Sequence, residues 1–83
     1  MDYLLVCRSI TYAQRMAAVL HSAGISAAVV RTPVGAAQES CGYSVRIGEK
    51  QWKNVQRTLK NAELWPKKLL RQTSHGAWEE VRP

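Results

Sequence analysis

Gly42-Tyr43-Ser44-Val45-Arg46-Ile47-Gly48 decides how this chain of 83 residues is read. Tyr43, Val45 and Ile47 alternate with Ser44 and Arg46, the period of a strand with one buried face, and Gly48 ends the run. Immediately before it stands Thr32-Pro33-Val34-Gly35-Ala36-Ala37-Gln38-Glu39-Ser40-Cys41. That connection is longer than the roughly 2–5 residues of an ordinary hairpin loop. Residues 36–39 suit a helical turn inside it. Connections held out from a scaffold are where function concentrates, and this one carries one of the chain's 2 cysteines.

Upstream, residues 25–31 are apolar and form strand two, which Pro33 stops because it has no N–H to give to a ladder. Tyr3-Leu4-Leu5-Val6-Cys7 is apolar on both alternating sets, as suits an inner strand one. Between them Ile10, Ala13, Ala17 and Leu20 recur at helical spacing, with Met16 beside the row. This predicts a helix over 10–22, capped by the hydroxyl of Ser9 or Thr11 and closed by Gly24. Gln14, Arg15 and His21 lie off the row.

Downstream, Trp52, Val55, Leu59 and Ala62 predict a second helix over 49–62, with Lys50, Lys53, Arg57 and Lys60 on its other faces. Pro66 restarts the chain, and Lys67 to Leu70 is read as a short helical turn. Gly76 breaks it, and residues 77–81 are read as an edge strand. The whole of 1–83 is one domain, with 63–83 a basic C-terminal extension carrying that edge strand.

The order β-α-β-β-α(-β) is the split βαβ pattern of an α+β, ferredoxin-like sandwich: an antiparallel sheet with two helices on one face. Strand three inserts antiparallel between strands one and two. The end of strand one, the start of helix one and the start of strand three then share one edge. Cys7, Arg8, the Ser9–Thr11 cap and Cys41 are expected near one another there.

Composition narrows the function classes. The apolar runs are far shorter than the roughly 18 residues of a membrane span, and the opening residues lack the pattern of a signal peptide. A cytoplasmic location follows as the expectation, where an ordinary cysteine pair stays reduced. Residues 50–71 hold seven basic side chains against Glu63 alone, which accounts for the whole net charge of +6. Such a surface attracts anionic partners. The basic second helix suits docking of an acidic protein. Nucleic acid is the lesser expectation, because Trp52 falls on the apolar row and only Trp78 suits base stacking.

A helix N-terminus carries about half a positive charge. It favours a thiolate over a thiol, lowering the pKa from a reference of about 8.5. Arg8 adds to this if it turns toward the loop. Cys41 is therefore read as a nucleophilic or sulfur-carrying thiol, against the alternative of a small hydrophobe filling the top of the core. Gly42 removes bulk beside it. Cys7 is read first as a core residue, with a second role as resolving thiol. No paired carboxylates, phosphate loop or dinucleotide fingerprint occurs. The two histidines and two cysteines lack metal-ligand spacing, so neither metal nor cofactor is expected.

Thr32-Pro33, then Ser40-Cys41-Gly42 opening an apolar strand, preceded by strand, helix, Ala23-Gly24-Ile25 and strand, resembles the Se/S carrier protein-like family. The resemblance covers residues 3–62. It implies a ferredoxin-like fold and carriage of sulfur or selenium, as persulfide or perselenide, on Cys41. Thr32, Pro33, Ser40 and Gly42 would shape the loop. The family's usual arginine after the proline is Val34 here, leaving Arg8 or Arg31 to supply an anion contact. The implied partners are donor and acceptor proteins, and the implied role is that of a carrier rather than a turnover enzyme. The alternative is a regulatory or protein-binding module, dimerising through its sheet, with a structural cysteine.

Overall fold

The computed structural model describes residues 2–33 and 42–81. Val34, the expected turn at 36–39, Ser40 and Cys41 lie outside the described residues. The chain folds as a small α+β protein. Its elements are β1 (Asp2–Val6), α1 (Ile10–Ser22), β2 (Ala27–Arg31), β3 (Tyr43–Gly48), a single 3-10 turn (Glu49–Gln51), α2 (Trp52–Ala62), β4 (Lys68–Gln72) and β5 (Trp78–Glu80). The strands form one sheet in the order β2-β3-β1-β4-β5. Every neighbouring pair is antiparallel.

β1 is apolar on both faces because both faces are covered. Tyr3, Leu5 and Cys7 join Val45, Ile47 and Leu69 beneath the two helices, against Ala13, Met16 and Leu20 of α1 and Val55 and Leu59 of α2. Leu4 and Val6 point the other way and cluster with Leu70, flanked by Val30 and Trp78. β3 lies between β1 and β2, with Leu5 opposite Val45 and Val45 opposite Val29.

α1 occupies the predicted span. Its buried row is Ala13, Met16, Ala17 and Leu20, while Ile10 is 41% exposed. Ile10 is the first helical residue, and side chains tilt back toward a helix's N-terminus, so Ile10 reaches past the sheet instead of onto it. Met16, expected beside the row, is fully buried within it.

The two helices stop by the same device. Ile25 N–H donates to Leu20 O at 2.9 Å and Gly24 N–H to His21 O at 3.0 Å. In α2, Leu64 N–H donates to Leu59 O at 3.0 Å and Glu63 N–H to Lys60 O at 3.2 Å. Both are Schellman motifs, with an apolar contact across the stop: Ile25 with Leu20, and Leu64 with Leu59, all buried. The pivot residue must be left-handed. Gly24 has φ +78 and Glu63 has φ 56.

The expected helical turn at 67–70 is instead the start of β4. Leu69 and Leu70 are adjacent, and both are buried, at 4% and 2%. A strand sends neighbours to opposite faces, and here each face holds a hydrophobic cluster. β4 pairs with β1, Leu5 opposite Leu69, and takes β5 on its other side. The β4–β5 turn closes through Thr73 N–H to Ala77 O at 2.7 Å, with Gly76 at φ +84. Arg71 and Glu79 sit opposite each other, 2.8 Å apart, and this hydrogen bond with its charge raises the Arg71 pKa above its ordinary value.

One contact ties α1 to the segment entering β4. The Tyr12 hydroxyl donates to Trp65 O at 3.0 Å and accepts from Trp65 N–H at 2.9 Å.

Opposite outcomes are expected at the two helix stops in urea unfolding. Gly24→Ala forces a Cβ into left-handed backbone and lowers stability by about 1 kcal/mol. Glu63→Gly relieves the same strain and raises it by about 0.5 kcal/mol. Tyr12→Phe removes both bonds to Trp65 and costs about 1 kcal/mol. An unchanged Tyr12→Phe midpoint would mean that water replaces those bonds without loss.

Candidate functional site

Five chain ends meet at one rim of the sheet. Val6, the last residue of β1, is opposite Ser44 on one side and Lys68 on the other. Cys7 N–H donates to Tyr43 O at 3.1 Å, and Lys67 N–H donates to Val6 O at 2.7 Å. Arg31, ending β2, is opposite Tyr43. α1 begins three residues after Cys7. The end of β1, the start of α1 and the start of β3 thus share an edge, as the element order required.

The segment that holds Cys41 leaves this rim after β2 and returns to it before β3. Its base is closed by two bonds. Thr32 N–H donates to Gly42 O at 2.6 Å, and the Thr32 and Ser44 hydroxyls lie 2.6 Å apart. Ser44 is fully buried, so this pairing satisfies a hydroxyl that would otherwise be costly to bury. Gly42, joined to Cys41, has φ +91, and a Cβ placed there would meet no atom within 4 Å. The left-handed backbone angle by itself favours glycine at this position. Pro33 is exposed just outside this closure.

The helix start beside it is capped by Ser9. Its backbone is extended, at φ −158 and ψ 163, and its Oγ accepts from Tyr12 N–H at 3.1 Å. Thr11 is already in the first turn and exposed. No acidic residue sits in that turn to offset its positive end. Arg8 lies over the Tyr12 ring at 5.4 Å, and Arg31 over the Tyr43 ring at 5.8 Å. Two guanidinium groups are therefore placed against aromatic rings at this rim.

Cys7 is fully buried, with its thiol donating to Leu5 O at 3.4 Å and 4.0 Å from Met16 Sδ. It sits directly below the rim, in the core. His21 is in the last turn of α1, its Nε2 2.6 Å from Ala27 O, at the end of the helix remote from Ser9. Among the described residues no group of three or more histidine, cysteine or carboxylate side chains converges.

Two features of the rim were not anticipated from the residues. Tyr12 connects Arg8, the α1 start and Trp65; its signal is that it stands three residues after the cap, where its N–H is the one Ser9 accepts. Lys67 and Lys68 arrive at the rim because β4 pairs with β1. The pair of adjacent leucines after Pro66 was the available sign of an inner strand. Beside Lys67 and Lys68 a cavity of about 160 Å³ opens between Trp52, Gln56, Trp65 and Val81.

No curated protein and no solved structure matches the chain. A family model does: that described as "Putative Se/S carrier protein-like" matches residues 2–71. The match runs from β1 through β4, beyond the reach of the resemblance noted above, and takes in the whole rim. The chain belongs to the Se/S carrier protein-like family.

Proposed function

We propose that the chain carries sulfur or selenium on Cys41 and passes it from a donor protein to an acceptor. The observation that carries this reading is the convergence of the loop base, Thr32 and Gly42, with the α1 N-terminus, Ser9, on one rim. Family membership supports it, since the family's name is that of such carriers. The sheet is read as a ferredoxin-like sandwich extended by β5, within one domain over 1–83, working in a reducing, cytoplasmic setting.

The chemistry is thiol exchange and needs no cofactor. The Cys41 thiolate attacks the outer sulfur of a donor persulfide. A new S–S bond forms, the donor's S–S bond breaks, and the donor cysteine leaves as thiolate. The acceptor's thiolate then attacks the terminal sulfur of Cys41-S-SH and returns Cys41 to thiolate. Nothing is oxidised overall. Selenium follows the same path as a perselenide. Arg8, Arg31 and the uncompensated first turn of α1 supply the positive field that favours each anionic form. Cys7, one layer below, is the candidate resolving thiol once exchange exposes it.

A second reading has an observation of its own. Thr32 and Gly42 form a hydrogen-bonded pair, so by alternation the backbone groups of Val29 and Arg31 point outward from edge strand β2, while the Ala27 carbonyl is already met by His21. Val29 is 36% exposed there. A second copy, or another extended strand, fits such an edge.

Alkylation near pH 6.5 separates these. Cys41 is expected to react about fivefold faster than an unstructured peptide thiol, the gain in thiolate outweighing the loss in nucleophilicity. Incubation with a cysteine desulfurase and cysteine should add one sulfur atom by mass, and Cys41→Ser should abolish it. A Cys41 no faster than the peptide, with no added sulfur and dimers that persist in Cys41→Ser, would instead establish the binding module.

A further inference from the structure

The connection from α2 to β4 leaves a hollow at the edge of the core. α2 ends at Ala62 and β4 begins at Lys68. Between them Trp65 is held to α1, because its N–H and its carbonyl are both bonded to the Tyr12 hydroxyl, at 2.9 and 3.0 Å. Beside it opens the cavity of about 160 Å³. Leu59 and Leu69, both buried core residues, line it together with Trp52, Trp65, Pro66 and Val81. Stacking on Tyr3 at 4.8 Å fixes the plane of the Trp52 ring. Trp65 is fixed through its backbone instead, and its residue stays 45% exposed. The two indoles are thus held in place before any ligand arrives.

We propose that this cavity binds a small aromatic acid, a single ring bearing a carboxylate. Size sets the ring. An apolar cavity of about 150 Å³ is enough to hold benzene. Two indoles and a proline make walls on which a flat ring packs well. The polar groups set the substituent, since a small-molecule site is mainly apolar with a few placed polar groups. Trp52, Gln56 and Leu59 stand at i, i+4 and i+7, so Gln56 shares a side of α2 with two apolar residues. Its amide brings a hydrogen-bond donor to an otherwise apolar wall. Lys67, Lys68 and Glu80 complete the lining, two cations against one carboxylate. The whole chain carries +6. Both excesses favour an anion over a cation.

Packing gives such a ligand its binding energy. A hollow beside a close-packed core forfeits contacts that a fitted ring restores. Water is a poor occupant, because it needs several polar partners and these walls are mainly apolar.

Titration of the isotope-labelled full chain with benzoate near neutral pH, followed by NMR, tests this. A ligand of this size should bind with a Kd on the order of 1 mM. The indole N–H signals of Trp52 and Trp65 should shift and saturate together. That of Trp78, which packs with Leu4, Val6 and Leu70 on the sheet's other face, should stay in place. Trp65→Ala should weaken binding about tenfold. Gln56→Trp, which fills the cavity from α2, should abolish it, and an unmoved Trp78 signal in both variants shows the fold intact. Benzylamine, with the opposite charge on the same ring, should bind about fivefold more weakly than benzoate. No saturable shift up to ~20 mM benzoate would overturn the proposal. So would shifts at Trp78 as large as those at Trp52 and Trp65, unchanged binding by Trp65→Ala, or benzylamine binding as tightly as benzoate.

Discussion

The structure depends on β1 being the strand with no free edge and no open face. It is bonded to β3 on one side and β4 on the other, and Leu4 to Cys7 are all at most 1% exposed. A strand so enclosed must be apolar at every position, because a polar side chain on either face would be buried without a partner. Five consecutive apolar residues are what the chain provides. With β1 fixed at the centre, both flanking strands must begin where it ends, since both run antiparallel to it. The rim is a consequence of that placement rather than an added feature.

At the rim the chain solves two polar problems with few residues. The start of a helix leaves N–H groups without partners, and the Ser9 side chain takes one of them, from Tyr12 N–H, while its carbonyl accepts the first regular helical bond, from Ala13 N–H at 3.0 Å. The sheet face away from the helices buries Ser44, and Thr32 supplies its partner. The same Thr32 clamps Gly42 by its backbone. One residue thereby satisfies the core and fixes the spot from which the cysteine loop departs. The two ends of the segment that holds Cys41 are in this way tied together on one rim.

Much of this was legible because local and tertiary signals agree. α1 has a capping hydroxyl, an apolar row and a glycine stop, and each marks the same boundaries. β3 alternates, and β1 does not, for the reason just given. The reading failed where a residue's surroundings come from elsewhere in the chain. Lys68 to Gln72 has no alternation, since both of its faces are covered, and after a proline it resembles the opening of a helix. Only pairing with β1, more than sixty residues earlier in the sequence, makes it a strand. Ile10 has the right spacing for the core, but the sheet ends before reaching it. The stop of α2 carried no glycine to announce it, and Glu63 accepts the left-handed angle because Leu64 closing on Leu59 outweighs the strain.

The positive charge divides into two sets by position. Five residue steps separate Tyr43 at the rim from Gly48 at the far end of β3, about 17 Å at roughly 3.3 Å per step. Lys50 and Lys53 follow that far end. The screening length in physiological salt is about 8 Å, so charges placed there contribute little to the ionisation of a group at the rim. The charges able to act there are those already on the rim: Arg8, Arg31, Lys67, Lys68 and the uncompensated first turn of α1. If the α2 row served only to activate a thiol, half of it would be in the wrong place. Exposed and remote from the rim, Lys50 and Lys53 belong to a solvated outer face.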